Sequence, residues 1–386
     1  MRSPSTTHMF RAGLASILAS PAVHAAQWSI QGSATTTTGA DDNPGLRIDD
    51  AGTRNSLGLD AKMAMARRTE TSELNVAPVV RLLRFPDERQ LDSDEESLDA
   101  GYVIAHERWS LDLSASGGRQ STLTSELGTT GRTDINAASE SASFGLAPQW
   151  QLTERLSAGA NLGYQRAAYP GIDSSRTDLY GSRYTTGQVS ARYALDPAMS
   201  LAIATSAGHF DSQRPGGSSD SRDLTAIFDY AIAERLALTL SAGPSVVATR
   251  HRTDHGVVYT ASLQRTFTLS NLSFSAARSV SPSGYGVLTR RDDLNFSWSG
   301  QLTERTSANL GLSGIRSREV LPELGFNLSD VRYLRADAGV QRQIGEQWSL
   351  SLGVAGLRQD FYQRKRTANG YQASLAVNWS GRNHEL

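Results

Sequence analysis

Residues 151–164 read "QLTERLSAGANLGY", and residues 301–314 read "QLTERTSANLGLSG". A duplicated domain would repeat far more than this, and a catalytic motif seldom needs a second copy so far along a chain. The repeat therefore answers a local structural problem that recurs. In both copies a polar tetrapeptide, Leu-Thr-Glu-Arg, precedes a stretch whose larger residues fall at every second position. A period of two marks a strand with two unlike faces. Each copy is read as a turn followed by the upstroke of a new strand. Glu154-Arg155, Glu234-Arg235, Glu304-Arg305 and Glu346-Gln347 are then solvated turn residues, not catalytic groups.

The same period runs through the chain after Ala26. In "WSLDLSAS" Trp109, Leu111 and Leu113 alternate with Ser110, Asp112 and Ser114. Leu294, Phe296 and Trp298 alternate with Asn295, Ser297 and Ser299, and Tyr371, Ala373, Leu375, Val377 and Trp379 continue the pattern near the end. Segments of about ten residues with one apolar and one polar face fit a strand between lipid and a wet lumen. The connections separate this from a soluble sandwich. Short ones such as "AHERW", "QLTER", "LDPAM" and "IGEQW" alternate with long ones such as "FPDERQLDSDEES", "YPGIDSSRTDLYGS", "TRHRTDHG" and "QDFYQRKRTANG". Outer-membrane barrels sort their connections this way, with short periplasmic turns and long extracellular loops.

Tryptophan placement points the same way, because the indole favours membrane interfaces where its N–H stays wet. Trp28, Trp109, Trp150, Trp298, Trp348 and Trp379, all six in the chain, fall at the short-turn ends of their segments and read as a periplasmic aromatic girdle. Tyr164, Tyr169, Tyr184 and Tyr285 lie nearer the long connections and are expected to contribute to an outer girdle. Upstrokes beginning near Trp28, Leu74, Trp109, Leu156, Leu201, Leu236, Leu272, Ala308 and Trp348, each with a return strand, give about 18 strands, an even number as bacterial barrels require. The expected fold is all-β, a transmembrane antiparallel up-and-down barrel.

Residues 1–25 carry Arg2 and Arg11, a short apolar run and small residues ending in Val23-His24-Ala25, the layout of a secretory signal peptide. The barrel domain is assigned to 26–386, located after cleavage in the outer membrane of a Gram-negative bacterium. No later apolar run reaches the roughly 18 residues of a transmembrane helix. Cysteine is absent, so neither disulfides nor thiolate metal sites are available. A formal net charge of −1 argues against a nucleic-acid partner. Lys62 and Lys365 are the only lysines, leaving arginine to supply nearly all positive charge.

Parity gives the face opposite the leucines: Asp60, Lys62, Asp112, Gln165, Gln188, Arg192, Asp223, Asp229, Arg291, Asp293, Asn295, Arg335 and Asp337. The bland interpretation is a neutralised polar lining; the sharper one is a constriction that selects charged solutes. No metal site, cofactor site or enzymatic motif stands out. His251 and His255 read as an exposed loop rather than ligands, and His209 beside Asp211 is uninformative amid so many serines. Arg364, Lys365 and Arg366 are suited to lipopolysaccharide phosphates.

The stretch "TTTTGADDNPGLR", with Asp41-Asp42-Asn43-Pro44, and turns of the "LTERLS" and "YALDP" kind resemble the β-barrel porins encoded near exopolysaccharide operons. The resemblance implies an outer-membrane channel that helps export an exopolysaccharide or passes charged saccharides, and partners among lipid, lipopolysaccharide, the barrel assembly machinery and polysaccharide export components. A general diffusion porin and a structural or adhesive barrel acting through its loops remain open, with an outer-membrane enzyme least favoured. One departure is that "SGRNHEL" follows Trp379, where barrel chains usually end on the aromatic of the last strand.

Overall fold

The alternating segments form strands of 13 to 16 residues in the computed structural model, which describes residues 26–48, 52–126, 136–174, 178–320, 331–361 and 366–385. The expected signal peptide, Arg364 and Lys365 lie outside these residues. The strands are β1 Gln27–Asp41, β2 Arg54–Arg68, β3 Ser72–Arg84, β4 Ser93–Ala105, β5 Trp109–Ser121 and β6 Ala138–Gln151. Next come β7 Leu156–Ala168, β8 Ser182–Ala194, β9 Met199–Ser212, β10 Ser219–Ala233, β11 Leu236–Ala248 and β12 Thr253–Thr266. The last are β13 Ser270–Pro282, β14 Leu288–Thr303, β15 Thr306–Glu319, β16 Val331–Gln343, β17 Trp348–Phe361 and β18 Arg366–Ser380, followed by a two-residue β19, His384–Glu385.

Each strand pairs antiparallel with its sequence neighbours, and β1 pairs with β18, so the sheet closes on itself as an 18-strand barrel. Closure leaves no sheet edge, the requirement for a β structure in hydrocarbon. The residues after Trp379 have a structural role: Gly381 N donates to Gly32 O at 2.8 Å, and His384 and Glu385 pair with Ile30 and Ser29 to extend the closing ladder.

Large apolar side chains stand exposed along one face, among them Leu57, Leu162, Leu201, Ile203, Leu224, Leu350, Leu352 and Val354. Soluble proteins do not present such a continuous apolar belt. It is the outward, lipid-facing surface. Trp109 pairs with Trp150 and Trp348 with Trp379 on the same face at the short-turn rim; Trp28 and Trp298 lie toward that rim too.

The short turns are closed by the Thr of "QLTER". Thr153 Oγ1 accepts from Leu156 N at 3.0 Å and Arg155 N at 3.3 Å, and Leu152 N donates to Leu156 O at 2.9 Å. Thr303 Oγ1 accepts from Arg305 N in the second copy. The same device closes a β2–β3 turn that the sequence reading did not single out, where Ser72 N donates to Thr69 Oγ1 at 3.0 Å. Two expected long loops are shorter than anticipated, because strands are longer than the period suggests. The β11–β12 connection is only Thr249 to Arg252, placing His255 on β12, and β4 begins at Ser93, taking in the second half of the acidic stretch.

Candidate functional site

Side chains paired across a ladder share a face, so register assigns each expected lumen residue. Asp60, Lys62, Asp112, Arg192, Asp223, Asp229, Arg291, Asp293, Arg335 and Asp337 all fall opposite the exposed leucines, with Gln165, Gln188 and Asn295. They do not form one ring. Near the short-turn ends of β8 and β10, Arg192 ion-pairs with Asp229, whose other oxygen accepts from Thr239 Oγ1 at 2.8 Å. Toward the long-loop rim Arg291 pairs with Asp293 at 2.7 Å, and Arg335 with Asp337 at 3.3 Å. Asp60 accepts from Arg81 Nε at 2.6 Å, and Arg81 reaches on to Glu95 at 3.1 Å. Arg81 was missed because "VVRLLRF" is apolar at both parities, and Glu95 because its acidic stretch reads as a loop; only the ladder shows their inward face.

Every arginine in this set is thus held by a carboxylate on the same face. Such pairs give the wall hydrogen-bonding capacity without a large net field, and a passing solute meets both signs at close range. Beside Arg335 and Asp337 the lumen holds a cavity of about 490 Å³, lined also by Asp41, Phe85, Asn309 and Gln372.

The mouth at the long-loop rim is filled from two sides. Leu46 and Ile48, between β1 and β2, fold inward onto Tyr333, Leu357 and Ala368 of the inner wall. Asn43 fixes this loop, its Nδ2 donating to Arg47 O and Asn369 O at 2.9 Å while its Oδ1 accepts from Arg47 N at 2.8 Å. Arg54 ion-pairs with Glu88 of the β3–β4 loop, and Arg47 lies 3.8 Å from the same carboxylate. Hydrogen bonds from Gln90 and Arg54 hold the Glu88 carboxyl below its ordinary value.

On the other side the top of the β13–β14 hairpin leaves the wall. The β12–β13 ladder stops at Tyr259↔Arg278, whereas β11–β12 runs on to Ala248↔Thr253 and β13–β14 to Pro282↔Leu288. Val280 and Leu288 consequently pack on Phe210 and Val247, which face inward from β9 and β11. Arg290 reaches Asp254 of β12 at 2.6 Å and lies where a Cβ on Gly256 would stand. The tip, 283–287, then meets loops from distant hairpins. Tyr180 N donates to Gly284 O and Ser212 Oγ to Gly286 O, both at 2.8 Å. Gly286 has φ +72° and Gly284 lies against Glu126 and Tyr169, so neither position has room for a side chain. Burial and the neighbouring Glu126 carboxylate push the Tyr169 phenol up.

The chain matches no family model, and no curated protein matches it either. Among solved structures it is similar to OpdO of Pseudomonas aeruginosa, with 10% identity, 92% of this chain and 97% of that chain covered, and a TM-score of 0.45. OccAB4 of Acinetobacter baumannii gives 8% identity, 93% and 98% coverage and a TM-score of 0.47. The outer membrane protein OpdK of Pseudomonas aeruginosa gives 10%, 92%, 98% and 0.45. The barrel itself rests on this chain's own ladders.

The other sequence candidates do not converge. His209 accompanies Asp220 at 2.8 Å on the outward face, away from inward Ser212 and Ser221. Among the described residues no group of three or more His, Asp or Glu is arranged for a metal. Of the tyrosines expected in an outer girdle, Tyr164 alone is outward and exposed. Tyr184 faces inward, its ring edge-on to Phe210 at 6.3 Å, and Tyr285 is buried in the mouth. Aromatic residues near long loops serve the plug here, which composition alone does not distinguish from a girdle.

Proposed function

We propose that the protein is a porin-like channel of a Gram-negative outer membrane, with its short turns periplasmic, its long loops outside, and a lumen suited to small charged or hydroxyl-rich solutes such as charged saccharides. The carrying observation is the inward face: separate same-face Arg–carboxylate pairs, one of them beside a cavity, beneath loops folded into the mouth. A polymer strand would need both loops to leave. Asn43, in the motif behind the exopolysaccharide resemblance, ties one of them down, so small solutes are the better-supported cargo.

Reconstitution in planar bilayers tests this reading. Discrete conductance steps with weak ion selectivity are expected, together with uptake of monosaccharide acids into proteoliposomes and exclusion of long anionic polysaccharides. Absence of any conductance would favour a structural barrel, and polymer-dependent block or passage would restore the export reading.

A further inference from the structure

The outward face of β11–β14 changes character at the short-turn rim. One cross-strand row runs Leu236, Arg265, Leu272, Trp298. The next outward row toward the bilayer centre, Leu238, Leu263, Phe274, Phe296, is wholly apolar, so Arg265 is a cation set at the edge of a lipid-facing wall. Its guanidinium lies 4.5 Å over the Phe267 ring, and Arg235 of the β10–β11 turn donates to Thr268 Oγ1 at 3.5 Å. Among the described residues neither arginine is joined to a carboxylate, the adjacent Glu234 included. On β11–β14 the nearest outward carboxylate is Asp292, roughly 20 Å from Trp298 along the strand.

Arg235 and Arg265 line an outward hollow of about 840 Å³ whose other walls are mainly apolar, formed by Leu236, Phe267, Leu269, Leu272 and Trp298. Gly300 contributes to its shape, because the Trp298 indole lies so close over it that a Cβ there would stand 2.6 Å from the ring. Phe267 and Leu269 stand exposed on the β12–β13 turn, which is closed by Phe267 N donating to Ser270 O at 2.7 Å. Two cations at the edge of an apolar hollow, below an apolar wall, match a molecule with an anionic head and hydrocarbon tails.

We infer that this hollow binds an anionic glycerophospholipid of the leaflet on the short-turn side, its phosphate taken by Arg235 and Arg265 and one acyl chain lying along Leu263 and Phe274. The inference rests on the outer-membrane reading above, with the short turns periplasmic. Charge complementarity selects the occupant: guanidinium groups bind phosphate through paired N–H donors, and a partly desolvated interface strengthens the contact. A second copy of this chain is less suitable, because it would bury two arginines that have no carboxylate. Arg342 faces outward at the same rim, opposite Leu350, without lining the hollow, and so serves as the control for charge alone.

The test uses the full chain in a maltoside detergent, titrated with dioleoyl phosphatidylglycerol and with dioleoyl phosphatidylcholine, and read by native mass spectrometry. The wild type is expected to prefer the anionic lipid by at least about tenfold, and Arg235→Gln/Arg265→Gln to lose that preference while binding the zwitterionic lipid as before. Arg342→Gln is expected to keep it. Should the double variant fail to give the heat-modifiable gel shift of a folded barrel, Arg265→Gln alone, at an exposed position, must still reduce the preference. Equal preference in wild type and the Arg265 variants overturns the site, as does an equal loss in Arg342→Gln or a lipid-free oligomer that covers Leu269. Cell fractionation separates the two claims: recovery outside the outer membrane removes the underlying reading, whereas recovery in it without a preference for the anionic lipid removes only this site.

Discussion

At the short-turn rim, Thr153 closes the β6–β7 reversal through bonds to residues two and three positions on. At the long-loop rim, Gly286 is held by Ser212, 74 positions away, and Asn43 by Asn369, 326 positions away. The first rim is a set of independent local reversals, each able to form from its own few residues. The second is one assembly, in which the β5–β6, β7–β8, β9–β10 and β13–β14 connections meet over the lumen and the β1–β2 loop covers the opposite wall. Local turns fix where strands begin; non-local docking fixes how the long connections lie over the lumen.

The contrast can be broken most forcefully at Gly286. Valine there must adopt a backbone conformation that β-branched residues avoid, and its Cβ would stand 3.0 Å from Arg214, Ser212 and Tyr180. Undocking of the 283–287 tip is expected to cost about 1–3 kcal/mol of local stability. Single-channel conductance should rise severalfold while the barrel's thermal midpoint hardly moves. An unchanged conductance would show that the tip does not obstruct the path.

A smaller effect is expected at the other rim. Thr153→Ala removes an acceptor for two backbone N–H groups and should lower stability by about 1 kcal/mol in a urea-unfolding series, with conductance unaltered. A conductance change comparable to that of Gly286→Val would erase the distinction between the rims.

The smallest effect belongs to Glu88, where the β1–β2 and β3–β4 loops join. Its folded-state pKa lies below the ordinary value of 4.5 through bonds from Gln90 and Arg54. The anchoring contribution is therefore complete above that ordinary value and is lost as pH falls through the lowered folded value. Hydrogen exchange across 42–48 should accelerate below about pH 4.5 in the wild type and be fast and pH-independent there, apart from intrinsic chemistry, in Glu88→Gln. Acceleration on raising the pH would contradict the assignment.

Much of the wall was legible in the sequence because the side-chain period of a strand is two whatever its neighbours are. Leu350, Leu352 and Val354 had to share a face, and Arg335 and Asp337 had to share the other. The strand number followed from alternating turn lengths. Legibility failed where a segment was apolar at both parities, as around Arg81, and where polar stretches lengthened strands, as at His255 and Ser93. The pairing of Arg192 with Asp229, across β8, β9 and β10, needed the register.

Sequence alone determined the two unlike faces wherever the alternation was clean, since alternation and closure are set by local backbone geometry and by the cost of an unpaired amide in hydrocarbon. Only the tertiary structure decided what the long connections do. Tyr169, Tyr184 and Tyr285 look alike in sequence, yet their environments come from loops tens to hundreds of positions away that pack together once the barrel has brought them to one rim.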